Sequence, residues 1–137
     1  DETNIVIYNV HPTNPGMQEQ LFNTEFRSRE IADLLDRASA EELPVIFAGD
    51  FNMPDFSDDY RAVTQTFSDS FRDAGYGLGW TFPNIPVQGQ NLSMLRLDYI
   101  FHSDDIIAEN ATIYSDFTGS DHKALYADLL VSLPVTP

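Results

Sequence analysis

The 137-residue sequence contains no cysteine. That excludes a disulfide framework, a thiolate metal site and a cysteine nucleophile. It leaves the compartment open, because a cysteine-free chain suits either side of a membrane. Positive charge is scarce. Seven lysines and arginines face 22 acids, giving a formal net charge of −15, and Lys123 is the only lysine. Such a field repels polyanions and gives little counterion-release affinity for duplex DNA. An acidic, soluble surface adapted to salt accounts for this most simply; the functional alternative is a substrate that is not a long nucleic acid. No apolar run approaches the length of a membrane span, and no leader pattern opens the sequence as given. Internal repeats, low-complexity tracts and a clear domain linker are also missing.

What is present is a chain that is 42% hydrophobic, enough for a sizeable core in one domain or part of one. It is organised around Phe47-Ala48-Gly49-Asp50-Phe51-Asn52-Met53-Pro54. The run Pro44-Val45-Ile46-Phe47-Ala48 is short, apolar and partly β-branched, and reads as a buried strand. Gly49 then lets the chain turn. Asp50 and Asn52 alternate with Phe51, so both polar side chains leave one side of an extended backbone. A carboxylate and an amide at a strand end suit a hard cation and a phosphoryl oxygen. Asp, Asn, Gly and Pro are also ordinary turn residues, so a plain polar turn explains this stretch alone.

Other stretches extend the pattern. Asn4 to Val10 reads as a strand with His11 at its end, where the ring either contacts a phosphate or merely caps a loop. From about Met17 to Ser39, Phe22, Phe26, Ile31, Leu34, Leu35 and Ala38 recur at helical spacing, with Arg27, Arg29 and Glu30 on the polar turns. Ser57 suits an N-cap, with Asp58 and Asp59 in the first turn of a short helix to about Thr66. That accounts for the acidic cluster without a calcium ion. Asp69 to Gly75 reads as another helical turn closed by glycine. Gly75 to Gly89 is a long loop with a short strand near Trp80-Thr81-Phe82, and its aromatics either wall a pocket or pin the loop. Leu95 to Phe101 is a strand with one interior acid, Asp98, which needs a partner. Arg96 and a histidine are the candidates. Ala111 to Tyr114 and Ala124 to Val131 are further strands, and Gly119-Ser120-Asp121-His122 is the polar turn between them.

His11, Asp50 with Asn52, Asp98, and Asp121 with His122 each lie on or beside a strand, which is how a site is assembled at the edge of an α/β sheet. His122 backed by Asp98 is suited to act as a general base held in one tautomer. Asp121 and Asp50 offer oxygen ligands to magnesium.

Asn9-Val10-His11, Gly49-Asp50-Phe51-Asn52, Arg96-Leu97-Asp98-Tyr99-Ile100-Phe101 and Ser120-Asp121-His122 together resemble the last four motifs of the endonuclease/exonuclease/phosphatase superfamily, the DNase I-like fold. Gly79-Trp80-Thr81-Phe82-Pro83 resembles the stretch before the Asp98-type motif in bacterial members. The resemblance covers nearly the whole chain, residues 1–137, and implies a magnesium-dependent (or manganese-dependent) phosphoester hydrolase. By the same resemblance, His11 contacts the scissile phosphate and Asp50 positions or activates water near the metal. Asn52 binds the phosphate, Asp98 orients His122, and Asp121 is a metal ligand. His122 is either the base or a transition-state hydrogen-bond donor. Ala124 stands where members usually carry proline.

The family's N-terminal half, with an asparagine and the principal glutamate ligand, has no counterpart here, and Glu2 does not sit in that motif. The resemblance therefore implies the C-terminal half of a two-sheet sandwich, by cleavage, truncation or choice of segment. The expected fold is α/β, half of a DNase I-like sandwich: one mixed sheet with helices on one face. The chain alone is expected to be weakly active or inactive, and the rival reading is a non-catalytic packing or binding module. The acidic charge favours a small phosphoester or a lipid headgroup over duplex DNA. Strands apolar on both faces lead us to expect self-association as a dimer, or a missing half bound as a separate chain.

Overall fold

The computed structural model describes residues 4–16, 22–88, 90–114 and 119–131. Glu2 and Met17 to Leu21 lie outside them. The first strand, β1 (Val6–Val10), leads to helix α1 (Glu25–Ala38) and strand β2 (Val45–Asp50). Helix α2 (Asp58–Val63), the two-residue strand β3 (Ser68–Asp69) and helix α3 (Ser70–Ala74) follow. A hairpin of β4 (Ile85–Val87) and β5 (Gln90–Leu92) precedes β6 (Asp98–His102), β7 (Ile106–Tyr114) and β8 (Ala124–Val131). The mixed sheet runs β1-β2-β6-β3, with β1 parallel to β2 and both β6 pairings antiparallel. It takes four of the eight strands; β7 and β8 form their own antiparallel ribbon. Among the described residues, no helix is long and apolar enough to cross a membrane.

Alternation along the strands separates two faces. Val45 and Phe47 of β2, and Tyr99 and Phe101 of β6, point to the helices and join Ile31, Ala38 and Val63 in one core. Phe51 continues it, meeting Phe101 edge-on at 5.2 Å and Tyr99 at 5.8 Å between centroids. The other face carries Ile7, Ile46, Ala48 and Ile100, and it ends in Asp50 and Asp98, directly opposite each other in register. Ile7 remains 60% exposed there.

Several local expectations change. Helix α1 begins at Glu25 and residues 22–24 are not helical, while the part of the expected helix from Met17 to Leu21 lies outside the described residues. Asn23 turns the chain, its Oδ1 accepting from the Glu25 N–H at 2.8 Å, and Phe22 and Phe26 stay exposed. The buried stripe of α1 instead includes Arg27, assigned above to the polar face, which is 3% exposed. It is buried because each charged N–H it brings inward finds an acceptor. Nε donates to Asp59 Oδ2 at 2.8 Å and Nη1 to the Asn52 carbonyl at 2.5 Å. Ser57 caps α2 as expected, accepting from Tyr60 N–H at 3.1 Å. The β4–β5 hairpin was not foreseen in a stretch rich in glycine and proline.

Gly49 is a strand residue, not a turn. It pairs with Val10 at φ +149°, and a Cβ there would stand 2.0 Å from the Val10 carbonyl oxygen. The missing side chain is what lets β1 approach β2 at the end of the sheet nearest Asp50. Gly49→Ala should therefore lower stability by at least about 1–3 kcal/mol. Urea unfolding monitored by circular dichroism measures this, and a loss below about 0.5 kcal/mol would mean that the β1–β2 pairing tolerates a side chain there.

Candidate active site

Asp50 ends β2 and Asp98 begins β6, so the antiparallel pairing sets two carboxylates side by side. Like charges in this position repel. His122 lies between them. Its Nδ1 stands 2.7 Å from Asp98 Oδ2, and its Nε2 stands 3.7 Å from Asp50 Oδ2. The first distance is a charge-assisted hydrogen bond. It answers which partner Asp98 takes: the histidine, not Arg96. Arg96 precedes β6, so strand alternation does not carry it to the face of Asp98. Its Nη2 reaches Asp69 Oδ2 at 2.6 Å instead, with the guanidinium 4.7 Å from the Tyr99 ring centroid.

His11 approaches from the end of β1, its Nε2 3.8 Å from Asp50 Oδ2, and it is exposed. Asp50 Oδ2 thus faces an imidazole on two sides at 3.7 and 3.8 Å. Both gaps exceed hydrogen-bond length and match bridging by a single oxygen.

Asn52 is not on an extended backbone. Asp50 Oδ1 accepts from its N–H at 2.8 Å, and the chain turns to φ +50°. Asparagine tolerates that left-handed region better than most residues. Its side chain is 7% exposed, and Nδ2 donates to the Pro12 carbonyl at 2.8 Å, next to His11. With Arg27 on its own carbonyl, Asn52 fastens three segments.

Asp121 is exposed, with its backbone carbonyl accepting from Asn84 N–H at 2.6 Å. Among the described residues, Asp50, Asp98 and His122 offer ligand atoms within 4.8 Å of one another, and Asp121 is not in that group. His122 Nδ1 holds Asp98 Oδ2, which leaves His122 Nε2 and the other Asp98 oxygen, with Asp50, to face a cation. A small divalent ion that keeps most of its waters needs only one or two carboxylates from the protein. Asp50 and Asp98 meet that number, and Asp121 stands one residue before His122, outside the group.

The electrostatics divide the pair. Burial raises the pKa of Asp50; the Asn52 N–H lowers it, Asp98 raises it, and His122 and His11 lower it, for a net rise. Burial lowers that of His122, but the Asp98 hydrogen bond and the charges of Asp98, Asp50 and Asp121 prevail, and the imidazole is raised above its ordinary value.

The segment after Gly79 frames this group, and its role was not legible from periodicity. Thr81 is fully buried, Asn84 nearly so, and the Phe82 ring lies 4.8 Å from that of His122. Asn84 Nδ2 also donates to the Ser120 carbonyl at 3.2 Å. Both readings of the aromatics apply: Phe82 packs against the histidine, while Tyr76 and Trp80 line a separate cleft of about 540 Å³ with Thr112 and Lys123.

A family model described as the Endonuclease/Exonuclease/phosphatase family matches residues 4–122. Among solved structures, a mannosyl-6-phosphatase of Bacteroides thetaiotaomicron VPI-5482 matches with a TM-score of 0.73 at 22% identity, over 90% of this chain and 50% of that one. An endonuclease/exonuclease/phosphatase family protein from Bacteroides thetaiotaomicron gives 0.75 at 21%, over 93% and 51%. The human Nocturnin catalytic domain with a bound sulfate anion gives 0.62 at 20%, over 92% and 47%. At these identities the likeness is one of fold. The chain spans about half the length of these structures and has about half of their fold. No curated protein sequence matches it.

Burial acts on Asp50 only in the folded state, so folding is favoured when Asp50 holds its proton. That contribution is present at low pH and is lost as pH rises through the raised folded-state pKa. Asp50→Asn should therefore raise the thermal midpoint at neutral pH in metal-free buffer. The gain should shrink as pH falls and the native carboxyl becomes neutral. A midpoint lowered at neutral pH would mean that His11 and His122 stabilise the carboxylate more than burial penalises it.

Proposed function

The chain belongs to the endonuclease/exonuclease/phosphatase family, and from that membership we propose that it carries catalytic residues of a divalent-cation-dependent phosphoester hydrolase. The observation that carries this reading is the imidazole of His122 held by Asp98 at 2.7 Å while its other nitrogen faces Asp50. In this reading Asp50 accepts the proton of an attacking water in the space bounded by His11 and His122. His122, raised and therefore protonated over a wider range, donates to a phosphoryl oxygen as charge develops. This favours the donor role over the base role. Asp98 holds the ring and stabilises its cation. One amide hydrogen of Asn52 is committed to Pro12; the second serves a phosphoryl oxygen, and His11 contacts the same group. Asp50 and Asp121 would hold magnesium or manganese, which supplies Lewis-acid neutralisation of the phosphate.

The substrate is a small phosphoester or a lipid headgroup, not long duplex DNA. Beyond the net charge of −15, each of the six arginines is ion-paired with an acid: Arg27, Arg29, Arg37, Arg61, Arg72 and Arg96. Arg27 and Arg96 are buried in the frame, and Arg29, Arg37 and Arg61 sit beside an acid of their own helix, which weakens their pull on a phosphate backbone. The sheet face carrying Ile7 and Ile100 is opposite the helices and calls for cover. We propose that a second copy, or a separate chain completing the sandwich, supplies it. Sedimentation of the purified chain tests that, and a monodisperse monomer at high concentration without a partner excludes it.

Hydrolysis of bis(4-nitrophenyl) phosphate tests the activity. Turnover that needs the cation and falls at least about 100-fold in His122→Ala is the expected result, weak in this chain alone. Rates should fall at pH low enough to protonate Asp50 and at pH high enough to deprotonate His122. Absence of turnover, with no shift of Asp50 or Asp121 resonances on magnesium titration, favours a packing or binding module.

A further inference from the structure

Among the described residues, Thr81 hydrogen-bonds the backbone of Asp98 and of Lys123, the residue after His122. Its side chain is fully buried. Oγ1 accepts from the N–H of Leu97 at 3.2 Å and of Asp98 at 3.3 Å. Its carbonyl accepts from the N–H of Lys123, the residue after His122, at 2.8 Å. Its own N–H donates to the Leu95 carbonyl at 2.8 Å. Leu97 in turn accepts from Phe51 N–H at 2.8 Å, between Asp50 and Asn52. The chain segments bearing Asp50, Asp98 and His122 are therefore registered through Thr81 and its neighbour Leu97.

We propose that Thr81 is the positioning residue of the Asp98–His122 pair, fixing the carboxylate against the imidazole without touching substrate. A threonine suits this task chemically. Its hydroxyl oxygen has two lone pairs for two N–H donors, and its β-branched side chain is restricted at χ1, so the acceptor is held in place. Valine has nearly the same shape and no acceptor. Without it the start of β6 loses the bonds that fix Asp98, and the 2.7 Å contact to His122 lengthens or tilts, which a hydrogen bond tolerates poorly. Reacting groups displaced by an ångström can lose about 100-fold in rate.

The inference rests on the reading of Asp98 and His122 as working residues, but its test reads the hydrogen bond and not turnover. In the ¹⁵N-labelled 137-residue chain, the Nδ1–H of His122 should give a far-downfield, slowly exchanging proton resonance, assigned by its loss in Asp98→Asn. Thr81→Val should lose it or move it strongly upfield, and amide exchange at Leu97 and Asp98 should accelerate. Thr81→Ser, which keeps the acceptor, should retain both features. A valine variant that keeps the resonance, a serine variant that loses it, or a native chain without it overturns the proposal. If the valine variant does not fold, the serine variant decides alone: retention supports the proposal, and loss ends it. Failure of phosphoester hydrolysis with these NMR results intact would count against the function and not against Thr81.

Discussion

Two carboxylates placed opposite each other on adjacent strands are the constraint on which this site turns. The β2–β6 pairing leaves Asp50 and Asp98 no choice of distance, and their repulsion has to be answered locally. The structure answers it unequally. Asp98 receives a hydrogen bond from His122, while Asp50 receives one from the Asn52 N–H and only longer-range attraction from two histidines. Burial raises the pKa of Asp50, while at His122 the Asp98 hydrogen bond and the surrounding carboxylates overcome burial and raise that of the imidazole. The acceptor and donor roles proposed for Asp50 and His122 would both follow from this one pairing, and neither needs a residue of unusual chemistry.

Holding that fact in place requires rigidity behind it. The aromatic core on the helix side, with Phe47, Phe51 and Phe101 wholly buried, fixes the two strands against α1 and α2. Tyr99 joins core to loop, its hydroxyl donating to the Met53 and Arg96 carbonyls at 2.9 and 2.7 Å. Arg27 does the same from α1, bridging Asp59 and the Asn52 carbonyl. Buried ion pairs of this kind contribute little net stability when measured against apolar packing. Their evident use is to specify where the turn after Asp50 goes.

The strands around the site were legible because burial writes itself into short apolar runs. Val45 to Phe47 and Ala124 to Val131 announced themselves, and β8 has the very bounds read from the sequence. His11, Asp50, Asp98 and His122 could be gathered because each ends or adjoins such a run. Three misreadings share another cause. Periodicity treats a charged residue as outward and a glycine as a turn. It cannot see that Arg27 finds acceptors on other segments, that Gly49 is emptied of a side chain by the neighbouring strand, or that Asn52 turns back on Asp50. At residues 22–24 the expected helix fails likewise, because Phe22 and Phe26 fit the period while Asn23 bonds the Glu25 N–H at the start of α1.

The least legible part is the segment from Thr81 to Asn84, and the reason is physical. Its contribution runs through single hydrogen bonds to residues 12 to 42 positions away, from Met94 to Lys123, and such bonds leave no repeat in a sequence. The same holds for the arginines. Read as a list, they look like surface charge in an acidic chain. In the fold each is committed to an acid, and Arg27 and Arg96 are buried doing so. Guanidinium is the side chain best shaped for phosphate, and here it is spent on the frame. What this half offers a phosphoester around Asp50 is histidine and the Asn52 amide, with a cation where one binds. Under the proposed function its contribution to phosphate affinity would vary with pH and metal, where an arginine clamp would have made it nearly constant.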